Sequence, residues 1–189
     1  DMPVAKAVLA IYAARHTRRD FGTPAGMSEI WGRQPNYVEP VSRKIGEVLC
    51  DVTKQDYVSM LYWAVGRGGE ELEVIQECIS RSECASIEIT GPKHHFWGTG
   101  TKILPLIKYI VEEHFDKAGA AMGVILTDGR FLIDDEEGAM AYCMDLGHRL
   151  AEEGKADAFK LVLIGYGAEV DEDQLERFDN MFEDTDLEG

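Results

Sequence analysis

The sequence predicts an α/β fold: a doubly wound, mostly parallel central sheet flanked by helices. Four short, continuous apolar runs have the length and composition of strands covered on both faces. Each run is followed along the chain by a segment whose apolar residues recur at helical spacing. Strand–helix alternation of this kind gives parallel strands joined by right-handed crossovers. No internal repeat or low-complexity linker divides it, so one domain is expected over residues 1–189.

The elements follow in order. Residues 6–12 (KAVLAIY) form the first buried run, and a polar and aromatic stretch over 16–39 follows, broken by Gly22, Pro24, Gly26, Gly32 and Pro35. Pro40 suits the first turn of a helix carrying Val41, Ile45, Val48, Leu49 and Val52. Residues 56–65 are the next strand, ended by Gly66, Gly68 and Gly69. Residues 72–75 and 86–89 read equally as short strands or as connecting pieces. Thr101 is placed to cap a helix bearing Ile103, Leu104, Ile107, Ile110 and Val111. Residues 120–126 are a buried strand closed by Thr127, Asp128 and Gly129. A helix over 135–153 ends before Gly154, a strand follows over 159–164, and an acidic helix is expected over 171–183. The central strands are expected at 8–12, 58–65, 121–126 and 161–164, all mutually parallel.

Composition narrows the function. The 189 residues are 45% hydrophobic and 29% charged, ordinary for a globular protein. No apolar stretch approaches the roughly 20 residues that span a bilayer, and residues 7–11 are too short an apolar core for a signal peptide. No membrane partner is expected. Cys50, Cys78, Cys84 and Cys143 show no paired spacing, which suggests free thiols and a cytoplasmic location. Cys78, Cys84, His94 and His95 together match no common zinc spacing. The net charge of −16 is concentrated after residue 168, where ten acidic residues face one basic residue, Arg177. Such a surface repels phosphate backbones, so nucleic acid is not an expected partner.

In a sheet of this kind ligands gather at the carboxyl ends of the strands. The polar residues there lie in residues 12–19, 98–101 and 127–129. The segments 98–107 (GTGTKILPLI) and 124–129 (VILTDG) resemble the second and third motifs of a von Willebrand factor A domain. The helix after them and residues 160–169 (KLVLIGYGAE), with a Gly-x-Gly turn, continue the resemblance, which runs from about residue 92 to 182. It implies a Rossmann-like fold of intracellular, bacterial-like type. It also implies that Thr101 and Asp128 help hold a divalent cation, usually Mg²⁺, at a metal-ion-dependent adhesion site. Mg²⁺ favours octahedral oxygen ligands and keeps several waters, which suits both residue types. Architecture offers each a plainer role, helix cap for Thr101 and turn residue for Asp128.

The family's first motif, Asp-x-Ser-x-Ser, is degenerate here: Tyr12, Ala14 and His16 occupy its ligand positions. Arg15, Arg18 and Arg19 make the same loop cationic, and Asp20 is the nearest acid that could stand in as a ligand. Mg²⁺ binding, the one cofactor implied, is therefore expected to be weak, with a nearby arginine or water neutralising Asp128 in its place. The long stretch over 16–39 is an insertion on the ligand-binding face. Arg15 just before it, and Arg18, Arg19, Phe21, Trp31 and Tyr37 within it, are the expected anchors for another protein. No phosphate-binding loop, no paired aspartates after the first strand and no nucleophile partner for His94, His95 or His114 can be found. The expected function is a non-enzymatic scaffold or adaptor module. The alternative is a metal-dependent hydrolase or phosphotransfer domain on the same architecture.

Overall fold

The computed structural model describes residues 5–17, 36–183 and 185. The expected anchors Arg18, Arg19, Phe21 and Trp31, and the substitute ligand Asp20, lie outside the described residues.

Five strands form one sheet in the order β3-β2-β1-β4-β5. β1 (Lys6–Ile11) lies at its centre, between β2 (Tyr57–Val65) and β4 (Ala121–Thr127), and is parallel to both. β5 (Phe159–Gly165) pairs parallel with β4. The four expected central strands are thus all present and mutually parallel. The segment left open at 72–75 belongs to a fifth strand, β3 (Glu71–Ser80), which pairs antiparallel with β2 through a register broken by bulges. Residues 86–89 form no strand.

Alternation along the strands builds two cores. Val8, Ala10, Leu61, Trp63 and Ile125 face one side. Ala7, Leu9, Ile11, Met60, Tyr62, Val124 and Leu126 face the other. On the second side lie α2 (Val38–Val52) and the short α3 (Arg81–Cys84). Pro40 stands in the first turn of α2, as expected, and Val38, Ser42, Gly46 and Leu49 make the stripe it buries.

On the first side, α4 (Leu104–Tyr109) runs on through a π-helical turn (Ile110–Phe115) into α5 (Asp116–Ala118). Leu106, Ile107, Ile110 and Phe115 of this unit are buried against the sheet. α6 (Ile133–Glu152) and α7 (Glu172–Asp179) complete that layer. α6 matches the expected helix to within two residues, whereas α7 is shorter than the expected 171–183 and gives way to a 3₁₀ turn (Asn180–Phe182). Buried Glu136 on α6 ties the layer together. It accepts from Gln174 Nε2 (2.7 Å) and forms a bidentate pair with Arg177 (2.6 and 3.2 Å), the one base in the acidic tail. No described helix is long and apolar enough to cross a membrane.

Candidate site at the carboxyl edge of the sheet

Strand order reverses at β1: the chain passes from β1 to β2 on one side and later returns to β4 on the other. The loops after β1 and β4 therefore flank a switch point, where open α/β sheets place their ligands. Both loops belong to the expected site.

The loop after β1 is filled with aromatic side chains. Tyr12, which the resemblance puts at the first ligand position, is 8% exposed. Its ring packs 5.4 Å from Trp63 and 5.1 Å from Trp97, and Trp97 in turn meets Tyr62 edge-on. The Tyr12 carbonyl accepts a 2.6 Å hydrogen bond from the Tyr166 hydroxyl, and the Trp63 indole N–H reaches across to the Leu126 carbonyl (3.0 Å). Ala14 is half-buried against the same core, and with His16 it lies on the one-turn helix α1 (Ala14–Thr17), as does Arg15. Of the expected stretch over 16–39, Thr17 closes α1 and Val38 opens α2. Of the expected partner anchors in that stretch, Tyr37 is 61% exposed.

Asp128 follows β4 and is 1% exposed. Thr127 shapes its turn, with the hydroxyl donating to the Gly129 carbonyl (3.1 Å). Burial, and then the Asp128 charge, push the Tyr166 phenol well above its ordinary range, so the Tyr166 hydroxyl stays a donor. Sequence reasoning missed Tyr166, which looks like any residue of a turn.

Thr101 is 8% exposed and does not cap the following helix, contrary to expectation. The residue flanking α4 is Ile103, which has no side-chain acceptor to offer. Asp135, from the first turn of α6, supplies it instead by accepting from the amides of Ile103 and Leu104 (3.0 Å to the latter). The Thr101 carbonyl accepts from the Leu132 amide (3.1 Å), which joins the Thr101 loop to the segment just after Asp128. The two loops expected to share a site are thus neighbours.

The glycines around Thr101 have an architectural reason. A Cβ on Gly69, whose φ is +69°, would stand 1.6 Å from the Gly100 carbonyl oxygen. The loop is held down further by Gly98 N–H to Ala64 O (2.8 Å) and by Thr99 Oγ1 to Arg67 O (3.1 Å). Close backbone packing against the β2–β3 turn explains the Gly-Thr-Gly spacing without any ligand.

Elsewhere, buried Glu73 on β3 accepts from the amides of Lys93, His94 and His95 (2.6 to 3.0 Å) and from the His95 ring (3.0 Å). Burial pushes its carboxyl up, but these donors more than offset that and leave it below the usual range. His95 also reaches Glu71 (3.0 Å). Cys78 is exposed, whereas Cys84 is buried beside Cys50, so the two cysteines of the zinc grouping differ in setting. Among the described residues no three His, Cys, Asp or Glu side chains are grouped to hold a metal ion. His114, which has no nucleophile partner in the sequence, has its Nε2 buried with no hydrogen-bond partner, and its ring stands edge-on to Tyr109.

Three apolar residues stand out at this end of the molecule. Phe96 is 76% exposed, Ile133 is 70% exposed, and Leu132 beside it is 43% exposed. The sequence signal was the run 131–133 (FLI) between a turn and a helix, of which only Phe131 enters the core. Comparison with protein-family models and with curated proteins finds no match to the chain.

Proposed function

We propose that this chain is a single, non-enzymatic protein-interaction module of the von Willebrand factor A type, doubly wound, with a vestigial metal site. It binds another protein through the carboxyl edge of its sheet, in the cytoplasm. The observation that carries this reading is the pairing of exposed Phe96, Leu132 and Ile133 with an aromatic-filled first loop at the same edge. Large apolar side chains left in water near a switch point favour a macromolecular partner. The ring of Tyr12 stands where the family needs a carboxylate, and two oxygens from Thr101 and Asp128 alone repay little of the cost of dehydrating Mg²⁺. Four free cysteines, three of them buried, favour a reducing compartment.

Two measurements test the reading. Calorimetric titration of the full chain with Mg²⁺ and Mn²⁺ should give no saturable binding in the low micromolar range. Such binding, abolished by Asp128→Ala, would overturn the vestigial site. Affinity capture from the native host should recover a partner that survives chelator and is lost with Phe96→Asp/Ile133→Asp. Capture that chelator abolishes, or that the double variant leaves unchanged, would place recognition elsewhere.

A further inference from the structure

We propose that Cys50 and Cys84 form a redox modification site, at which hydrogen peroxide converts the two thiols to a disulfide that staples α3 to the last turns of α2.

Packing sets the pair. α2 buries Val38, Ser42, Gly46, Leu49 and Cys50 on the second side of the sheet. Gly46 leaves the gap that Cys84 enters: a Cβ there would stand 3.1 Å from the Cys84 Sγ and would overlap Met60 of β2. Cys50 lies one helical turn further along the same face. Its thiol and that of Cys84 are therefore side by side, and each shifts the ionisation of the other. Cys50 is 4% exposed and Cys84 is fully buried. Thirty-four positions and the whole β2–β3 hairpin separate them along the chain, so the fold alone makes this contact. Cys143 belongs to the core on the opposite side of the sheet, and Cys78 is exposed.

Opening of α3 controls the reaction. A thiolate, not a thiol, attacks peroxide. Burial pushes the Cys50 thiol above its ordinary range, partly offset by the Cys84 thiol beside it. Burial, and then the neighbouring Cys50, push Cys84 up to about 12. The closed pair thus resists oxidation. α3, however, is a single turn, held at the surface by the Ser80–Glu83 capping box and the Arg81–Asp51 pair (2.9 Å). So short a helix has little stability of its own, and its local opening brings water and peroxide to both sulfurs. Cys50, the less strongly shifted of the two, is the attacking sulfur. Its thiolate takes one peroxide oxygen, the O–O bond breaks, and the departing hydroxide gains a proton as water, leaving a sulfenic acid. As α3 recloses, the Cys84 sulfur attacks the Cys50 sulfur. The S–S bond forms, the S–O bond breaks, and the hydroxyl leaves with the Cys84 proton as a second water. Two thiols and one peroxide give one disulfide and two waters.

The test exposes the reduced, full chain to hydrogen peroxide under native conditions. The chain is then unfolded, alkylated with a maleimide, digested and read by mass spectrometry. A linked Cys50–Cys84 peptide, two hydrogens lighter than its parts, is expected, and a dithiol reductant should restore both thiols. The oxidised chain should have a folded-to-unfolded ratio in urea roughly a hundredfold higher, as expected for a cross-link across a loop of this length. Arg81→Ala/Glu83→Ala, which loosens α3, should speed oxidation about fivefold through the lost cap. Both thiols recovered alkylated, either one recovered as a sulfinic or sulfonic acid, or a bond from either to Cys78 or Cys143 would overturn the proposal. An oxidised chain less stable than the reduced one, or an oxidation rate that the double variant leaves unchanged, would do so too.

Discussion

Tyr12 shows how one residue changes the chemistry of an edge. Its ring lies between Trp63 and Trp97, so the position that suggests a missing ligand is a packing site. Tyr12→Ala should cost about 3 kcal/mol, the range for truncating a buried aromatic, measured as a lowered urea midpoint at unchanged slope. Tyr12→Asp should destabilise at least as much, because it places a carboxylate among indole rings. His114 offers a second test. Burial holds its pKa below the ordinary histidine value, with Glu77, Lys6, Glu113 and Lys117 as smaller influences. The folded state therefore resists protonation that the unfolded chain accepts near pH 6.5. The contribution of His114 is complete above that pH and is lost as pH falls through the depressed folded value. His114→Phe should flatten the decline in stability between pH 7 and pH 5.5. An unchanged slope would show that other groups carry it.

At the level of elements, sequence periodicity located α2, α6 and the four parallel strands to within a few residues, because each has an uninterrupted apolar pattern. It failed where a distant residue completes an element. The helix over 104–109 looked capped by Thr101, yet its acceptor is Asp135, thirty-odd positions away on α6. No local spacing encodes that contact. Burial raises the Asp135 pKa, opposed by the Leu104 and Ile103 amides and by Lys102. Asp135→Ala should cost about 1–2 kcal/mol by leaving the first amides of α4 without an acceptor. Asp135→Asn should recover part of that, since an amide oxygen still accepts. β3 was ambiguous for a related reason: as an antiparallel edge strand with bulges and Glu71, Glu73 and Glu77 along it, it lacks an apolar run.

For the whole molecule, the mostly parallel α/β class was legible from alternation alone, because a strand covered by helices on both faces must be apolar throughout. The candidate site was less legible. Thr101 and Asp128 did fall in neighbouring loops, but Phe96, Leu132 and Ile133 carry no motif, and exposure is a property of the assembled fold. The acidic tail shows the same limit: composition gave its charge, while Arg177 and Gln174 clamping Glu136 became visible only in three dimensions. Because that clamp joins α6 to α7, Glu136→Ala should free Arg177 and leave Gln174 short of an acceptor. The expected loss is about 2 kcal/mol, with faster amide exchange in α7 than in α2.

The central position of β1 also constrains the order of assembly. It leaves the ribosome before the other four strands, yet Lys6 must wait for Ala121, more than a hundred residues later, to complete its pairing. Among the described residues the β2–β3 hairpin is the only strand pair joined by a short turn, and it can close early at small entropic cost. During synthesis, then, this central, buried strand stands with one side unpartnered until β4 emerges. A nascent chain halted before residue 121 should expose that side to chaperones, and release beyond residue 127 should end the exposure.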